Sequence, residues 1–237
     1  MPVAVSGIRI NKGRVVGVLT DRGEIETRIV VNAAGSWSRQ VGKMANVEAP
    51  VFPQRLQSMV TETLPHRVLN RVIQGGRRVT PEEMEHPEKV LSFAIGLPQG
   101  AGEESLPRER LEDSIFPYIK PTHAGNFVIG TTSEFVGHDR GVLPQALHLM
   151  ARRTVEILPM LKDLHIIRSW ANFVPFTFDS LPILGEVPEL EGFILATGHA
   201  HAMAHAPSTA EALAELIVNG TPSISIDEAR IQRFRHS

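Results

Sequence analysis

The stretch from Arg168 to Leu216 constrains the fold most, because strand, turn and helix signals follow one another there without a gap. A short apolar run, Phe193–Ala196, is followed by Thr-Gly and then by an alanine-rich segment that contains Pro207. Apolar runs bounded by glycine are typical of buried strands, and proline is favoured in the first turn of a helix. We therefore expect a buried strand that ends at Gly198 and a helix that Pro207 opens.

This order of strand, glycine and helix has a chemical consequence at the helix start. Unpaired N–H groups and the positive end of the helix dipole meet there, so that a helix N-terminus binds negative charge. The helix itself is supported by apolar residues at helical spacing, namely Ala210, Leu213, Ala214, Leu216 and Ile217. The sequence thus predicts an anion-binding position beside Gly198 and His199.

Composition excludes several classes of function. The 237 residues carry 24 Lys and Arg against 26 Asp and Glu, a net charge of −2, which gives no electrostatic reason to expect a nucleic-acid partner. The lack of cysteine excludes disulfides, thiolate nucleophiles, iron–sulfur clusters and cysteine zinc sites. No apolar run approaches the roughly 20 residues of a membrane-spanning helix, and the N-terminus does not resemble a secretory leader. We expect a cytoplasmic protein without a membrane-spanning segment.

Three histidines, His199, His201 and His205, crowd the predicted helix start. The i, i+4 spacing of the last two places them on one helix face, as in some zinc sites, but no glutamate follows His201 as it does in zinc proteases. The alternative is that they occupy turn and helix-cap positions. We favour that alternative and expect no metal.

The N-terminal part, from Gly7 to Val31, alternates apolar and polar residues between two glycine-containing turns, which is typical of a β-meander. Its last strand, expected over Ile25–Val31, runs into Asn-Ala-Ala-Gly. Small residues there allow either close helix–strand packing or close approach of a ligand to the backbone. Ser36 is the expected N-cap of a helix that continues through Val41.

The middle of the chain is rich in proline, which favours antiparallel strands joined by irregular loops. Gly100–Arg110 is expected to be a surface loop. A helix that covers one face of the sheet is expected to begin at Pro144 and to weaken at Pro159. The expected strands are Leu56–Glu62, Val68–Ile73, Val90–Ile95, Ile115–Lys120, Asn126–Thr131 and Arg168–Phe173.

Asp179 lies between Pro175 and Pro182 and has two interpretations. It could be a catalytic carboxylate, but aspartate in such a turn commonly accepts a hydrogen bond from its own backbone two residues on. We favour the second interpretation.

Together, the segments VVNAAGSWSRQVG, FVIGTTSEF, WANFVPFTFDSLPILG, GFILATGH and APSTAEALAELI resemble the FAD-dependent D-amino-acid oxidase-like superfamily. The nearest group contains the sarcosine oxidase β-subunit, glycine oxidase and the opine or proline dehydrogenase subunits. The resemblance follows the family's order over most of the chain.

The resemblance implies an α+β fold of two parts. Residues 1–46 and 182–237 would form the C-terminal part of an α/β FAD-binding domain. Residues 47–181 would form a substrate domain, a mainly antiparallel sheet with a covering helix. FAD would be the cofactor, and the missing N-terminal segment or a partner chain could be required to bind it. Gly198, His199 and the helix near Pro207 would face its isoalloxazine ring. Other residues expected to lie against the FAD are Ala33, Ala34, Gly35 and Trp37.

The implied reaction is oxidation of the C–N bond of a secondary amine or amino acid by hydride transfer to the flavin. The chain departs from the family in three places. It has no Gly-x-Gly-x-x-Gly motif for the FAD pyrophosphate, so the family's N-terminal βαβ unit is missing from it. Val174 stands where many members have a carboxylate-binding arginine. Ala200–His205 has no glycine and is one residue shorter.

These departures leave a second interpretation open. The chain would then be a non-catalytic subunit or truncated product that serves as an interaction module, and it would need a partner subunit. A third, weaker interpretation is a binding protein for a small amine.

Overall fold

The computed structural model describes residues 3–64, 69, 71–74, 111–112 and 114–234. These residues form two compact units. The described part of the first unit is residues 3–52 and 175–234, and that of the second lies between residues 53 and 174. The expected strand Val90–Ile95, the expected loop Gly100–Arg110 and part of the expected strand Val68–Ile73 lie outside the described residues.

The chain has eleven strands and three α-helices within the described residues. The helices are α1 (Ser38–Met44), α2 (Pro144–Ile157) and α3 (Ala202–Asn219). Short 3-10 helices span Gly35–Trp37, Pro159–Leu161, Asp227–Ala229 and Ile231–Phe234. The strands are β1 (Val5–Asn11), β2 (Arg14–Thr20), β3 (Gly23–Glu26), β4 (Val30–Asn32), β5 (Phe52–Thr61), β6 (Ile73–Gln74), β7 (Tyr118–Pro121), β8 (Phe127–Gly130), β9 (Ile166–Phe176), β10 (Ile183–Val187) and β11 (Leu190–Thr197).

The first unit is built on a mixed six-stranded sheet in the order β1-β2-β11-β10, with β3 beside β2 and β4 beside β11. Strand β11 is parallel to β4 and antiparallel to β10. Both faces of β11 are covered. Phe193 and Leu195 belong to one apolar cluster, and Ile194 packs with Leu213 and Leu216 of α3 in another. The expected buried strand before Gly198 is therefore confirmed.

The expected β-meander is confirmed, since β1 pairs with β2 and β2 with β3 in antiparallel register. The expected single strand over Ile25–Val31 is wrong, because the chain turns between β3 and β4. The hydroxyl of Thr27 donates to the carbonyl of Ile29 and accepts from its N–H. This local turn interrupts the strand.

The expected N-cap role of Ser36 is also wrong. Ser36 lies inside the 3-10 helix Gly35–Trp37, and α1 begins two residues later, at Ser38. No side chain of a described residue caps α1. The hydroxyl of Ser38 is buried and bonds to Thr197 instead.

The second unit holds an antiparallel five-stranded sheet in the order β6-β7-β8-β5-β9. Met59, Ile119 and Ile129 share one face of it and form an apolar cluster with Met150 of α2. Helix α2 begins at Pro144, as expected, and it ends before Pro159. The expected fold class, α+β with one mixed sheet and one antiparallel sheet under a covering helix, is confirmed.

Among the described residues of this unit, Arg55 is the most deeply buried charged residue, with 2% of its surface exposed. Its guanidinium binds both carboxylate oxygens of Glu134 and also donates to Asp139, at 2.8 Å. Glu134 accepts further bonds from Gln57, at 2.6 Å, and from Thr132, at 2.8 Å. Every member of this ion-pair network is thus bonded, which a buried charge requires.

None of the described helices combines the length and the apolar character needed to cross a membrane.

We expect Glu134→Ala to lower the free energy of unfolding by about 3–5 kcal/mol, because it removes the carboxylate that binds the buried guanidinium of Arg55 through two hydrogen bonds and leaves Asp139 as the remaining described carboxylate partner. Urea denaturation measures this loss. The matched control is Glu156→Ala, which breaks an exposed i, i+4 pair of 3.7 Å with Arg152 and should cost at most about 1 kcal/mol. Equal losses of unfolding free energy in the two variants would contradict the role of Glu134 as the partner of a buried charge.

The same network predicts a pH dependence. Burial raises the pKa of Glu134, but hydrogen bonds from Arg55, Gln57 and Thr132 outweigh it, and the net pKa is lowered. A carboxyl whose pKa is lower in the folded state stabilises the fold above its unfolded pKa, and this contribution is lost as pH falls through the folded pKa. The free energy of unfolding should therefore fall more steeply between pH 6 and pH 3, roughly the titration range of carboxyl groups, in the wild type than in Glu134→Gln. If the unfolding free energies of the two proteins changed with pH in parallel, Glu134 would not be the source of the pH dependence.

Candidate functional site

The candidate site lies in the first unit, where β4 and β11 run side by side and end together. Val30, Val31 and Asn32 pair with Phe193, Ile194 and Leu195 in parallel register. Since parallel strands end at the same sheet edge, the residues that follow β4 lie beside those that follow β11. The Ala33-Ala34-Gly35 segment and the Gly198-His199 segment are thereby brought together.

A buried hydrogen-bond network joins the two strand ends. Thr197 donates to the hydroxyl of Ser38, at 2.6 Å, and its hydroxyl also lies 3.3 Å from the carbonyl of Gly35. Asn32 donates to the carbonyl of Ser38, at 2.9 Å, and accepts from the N–H of Ala34, at 3.3 Å. The side chains of Asn32, Ser38 and Thr197 are at most 2% exposed. The backbone of residues 33–35 is therefore held from both sides.

Gly35 adopts a positive φ of 56°, and a Cβ placed there would meet no atom of the described residues within 4 Å. Among these residues, the space in front of its backbone is open. The neighbouring Ala33 is exposed, and Ala34 is half-buried. Trp37 ends the 3-10 helix and is 41% exposed. This segment offers small residues and open backbone, the arrangement that a ligand needs for close approach.

Gly198 serves a different purpose from Gly35. Its φ is +75°, and a Cβ there would lie 2.7 Å from Cγ2 of Thr177 and 3.4 Å from Pro182. Thr177 is fully buried, and its hydroxyl donates to the carbonyl of Leu181. Gly198 is thus required for packing of the turn at residues 177–182 against the end of β11.

Helix α3 begins at Ala202, and the expectation that Pro207 opens it is wrong. Pro207 is the sixth residue of the helix, in its second turn. Proline there removes the hydrogen bond to the carbonyl of Met203, but Met203 is 97% exposed, so water can replace the lost donor. Alanines 202, 204 and 206 have the highest helix propensity and extend the helix toward Gly198.

The start of α3 has the features of an anion-binding helix terminus. His201 holds the N-cap position, but no side chain bonds to the first N–H groups. The first turn contains no acidic residue within the described helix. Residues 201–208 are exposed. The predicted anion-binding position next to Gly198 therefore has N–H donors that no side chain of the described residues caps.

His199 is half-buried directly after Gly198. Its Nε2 lies 3.0 Å from the hydroxyl of Thr209, one of the residues of α3. Burial, and to a smaller degree the nearby charge of His205, lowers the pKa of His199. The imidazole is therefore biased toward its neutral form at the helix start.

The three histidines do not converge on one point. His199 bonds to Thr209, whereas the rings of His201 and His205 lie edge to face, with centroids 6.5 Å apart. Among the described residues no three His, Cys, Asp or Glu side chains cluster in a way that could hold a metal ion.

Asp179 is a turn residue, as we favoured. Its Oδ1 accepts from the N–H of Leu181, at 3.1 Å. Its two oxygens also bind Arg233, whose Nε lies 2.5 Å from Oδ2, and Arg233 donates to the carbonyl of Leu181. The carboxylate is thus used to hold the turn against the C-terminal 3-10 helix.

Sequence patterns did not reveal the polar residues that shape this site. Asn32, Ser38 and Thr197 are ordinary strand-end residues in the sequence, and Arg233 lies in a charged tail. These residues could have been found from the parallel pairing of β4 with β11, because that pairing brings the ends of the two strands to one sheet edge. Val174, the position of the expected arginine, lies half-buried on β9 in the second unit.

Comparison with known proteins agrees with this architecture. Residues 3–216 match the family model described as FAD dependent oxidoreductase. Glycine oxidase of Pseudomonas aeruginosa is 28% identical over 212 residues, which cover 89% of this chain and 47% of that protein. Mitochondrial sarcosine dehydrogenase of Mus musculus is 29% identical over 99% of this chain and 23% of its own length.

Solved structures show the same fold. L-proline dehydrogenase from P. horikoshii superimposes with a TM-score of 0.75 at 24% identity, covering 98% of this chain and 54% of that one. The chain thus spans about half the length, or less, of the relatives it matches. The match extends over most of the present sequence, and the resemblance seen in its motifs is confirmed: the chain belongs to the FAD-dependent oxidoreductase family.

Proposed function

We propose that this chain supplies part of the FAD site of an oxidoreductase that oxidises the C–N bond of an amino acid or secondary amine. The observation that carries the proposal is the start of α3. It is uncapped by side chains of the described residues and free of acidic residues in the described helix, and it follows β11, whose last residue, Thr197, donates to the carbonyl of Gly35. Membership of the family and the names of the relatives, glycine oxidase and sarcosine dehydrogenase, support the substrate class.

The uncapped backbone N–H groups at the start of α3 suit the acceptor atoms of a flavin. The pyrimidine end of a flavin presents oxygen and nitrogen acceptors that gain negative charge on reduction, and a helix N-terminus stabilises such charge. In this arrangement the backbone N–H groups of Ala202 and Met203 would hold the pyrimidine end of the flavin. The neutral form of His199, favoured by its lowered pKa, leaves the N–H groups of the helix as the source of positive potential at this position.

The Ala33-Ala34-Gly35 segment fits a second part of the cofactor. Its small side chains and the open space at Gly35 allow a flat or extended group to lie against the backbone. Asn32, Ser38 and Thr197 would hold that backbone in place. Trp37, at the end of the same turn, would border the site.

Bound FAD would supply the hydride acceptor for the carbon next to the substrate nitrogen. The chain's own residues would orient the cofactor and stabilise negative charge at the start of α3. The first unit would thus act as the C-terminal part of the FAD-binding domain, and the second unit as the substrate domain. Val174 cannot bind a carboxylate as arginine does, so the substrate's orientation would rest on other groups.

A second candidate is a non-catalytic subunit that works as an interaction module. The observation that favours it is Val174 on β9, which stands where the resemblance implies a carboxylate-binding arginine. In that case the open backbone at Gly35 would stay without a cofactor.

The flavin proposal predicts a charge effect at the helix start. Ala202→Asp puts a carboxylate beside the expected pyrimidine end, so the Kd for reduced FAD should rise more than the Kd for oxidised FAD. A charge at a helix terminus is worth about 0.3–1 kcal/mol, which is about a two- to fivefold change. Anaerobic fluorescence titration of the purified chain measures both constants.

Ala214→Asp is the matched control, because it adds the same charge to an exposed position three turns further along α3. It should leave the ratio of the two constants unchanged. Identical ratios in all three proteins, or the absence of any FAD binding by the wild type, would refute the proposed flavin site.

A further inference from the structure

An arginine near the end of the chain binds a turn that is distant from it in the sequence. Arg233 lies in the 3-10 helix Ile231–Phe234, and its side chain is 15% exposed. Its Nε donates to Oδ2 of Asp179, at 2.5 Å. Its Nη2 donates to Oδ1 of Asp179, at 3.2 Å, and to the carbonyl of Leu181, at 3.0 Å. The planar fork of an arginine, which lysine lacks, thereby joins the C-terminal segment to the turn at residues 177–182.

The 3-10 helix that carries Arg233 is docked independently of the guanidinium. Ile231 is 1% exposed and belongs to the same apolar cluster as Phe193 and Leu195 of β11, and Phe234 packs against that cluster. Burial of these apolar side chains holds the segment on the sheet. Arg233 therefore binds the turn from a fixed position, and its replacement should leave the segment in place.

The turn that Arg233 binds has a backbone conformation that needs support. Ser180 adopts a φ of 60°, which is uncommon for a residue other than glycine, and its side chain is exposed. The N–H of Leu181 donates to Asp179, and the hydroxyl of Thr177 donates to the carbonyl of Leu181, at 2.7 Å. Arg233 binds the same carboxylate and the same carbonyl. It thus completes the set of bonds that holds the turn in this conformation.

The turn lies directly against the bend at Gly198. A Cβ at Gly198 would lie 2.7 Å from Cγ2 of Thr177 and 3.4 Å from Cα of Pro182. Strand β10, which follows the turn, begins with Ile183, and Ile183 pairs with Thr197, the residue before the bend. Because the bend is packed and paired in this way, a shift of the turn would displace Gly198.

Within the described residues, the start of α3 depends on this bend. Three residues separate Gly198 from Ala202, where the helix begins. Residues 201–208 are exposed, and the buried side chains of the helix begin at Ala212. His199, in the linking segment, bonds to α3 at 3.0 Å, so a displaced Gly198 would carry both the imidazole and the first helical turn with it.

We propose that Arg233 is a positioning residue for the flavin-binding end of α3. It acts through Asp179 and the turn at residues 177–182, which sets the position of Gly198 and hence of the first N–H groups of the helix. This inference rests on the proposed function, which assigns those N–H groups to the pyrimidine end of the flavin. Donors of this kind stabilise charge only when they are held within about 0.5 Å of their working positions.

Asp179→Asn is the mildest test, because asparagine keeps an oxygen that can accept from Leu181 but loses the negative charge that binds Arg233. Arg233→Met removes the guanidinium and keeps an apolar stem. In the full chain, each variant should raise the Kd for oxidised FAD roughly three- to tenfold, since a misplacement of about 1 Å can cost about a hundredfold in a rate. Fluorescence titration measures the Kd. The double variant should bind no more weakly than either single variant, because both changes remove the same interaction.

A second readout needs no flavin. Burial, and to a smaller degree the charge of His205, lowers the pKa of His199. If the bend at Gly198 relaxes, the imidazole becomes less buried, and its pKa should rise toward the ordinary value in Asp179→Asn and in Arg233→Met. An NMR titration of His199 measures this rise, which a uniform loss of stability would not produce.

Arg230→Met is the matched control, because Arg230 lies three residues earlier in the same segment and its ion-pair partner, Asp227, is exposed. It should leave the Kd for FAD and the pKa of His199 unchanged. Circular dichroism shows whether each variant is folded, and Asp179→Asn decides the question if Arg233→Met is not. A wild-type pKa of His199 or a wild-type Kd in the folded variants would overturn the proposal.

The two readouts separate this proposal from the proposed function. A wild-type chain that binds no FAD would refute the flavin site, and the titration of His199 would then decide whether Arg233 positions the start of α3. A wild-type chain that binds FAD as tightly as the variants do would leave the flavin site standing and refute the role of Arg233.

Discussion

The hydrogen bond between Thr197 and Ser38 is the interaction on which the candidate site depends. Both hydroxyls are buried, and they connect the end of β11 with the start of α1 across 159 residues of sequence. A buried hydroxyl without a hydrogen-bond partner destabilises the fold, so each of these two residues stabilises the other in its observed position. Because Asn32 holds the carbonyl of Ser38 as well, the open turn at Gly35 and the bend at Gly198 keep a constant spacing.

Elements whose signals are local could be predicted from the sequence. The hairpin between β1 and β2, the start of α2 at Pro144 and the turn at Asp179 each rest on residues a few positions apart. The wrong predictions at β3 and at the start of α3 came from local preferences that competed with the expected signals. Thr27 interrupts a strand by bonding Ile29, and the alanines before Pro207 extend α3 toward Gly198.

Interactions between distant residues could not be predicted in this way. Arg55 and Glu134 are 79 residues apart, and Asp179 and Arg233 are 54 apart. A charged residue in a sequence is usually solvated, so nothing local marks Arg55 as buried. The family motif around Glu134 was recognised, yet its role as the partner of Arg55 follows only from the pairing of β5 with the chain at residue 134.

Helix α3 shows how one element can serve both folding and binding. Its buried stripe, with Leu213 and Leu216, packs on Leu184 of β10 and Ile194 of β11. Its N-terminus is consequently positioned beside Gly198 before any cofactor arrives.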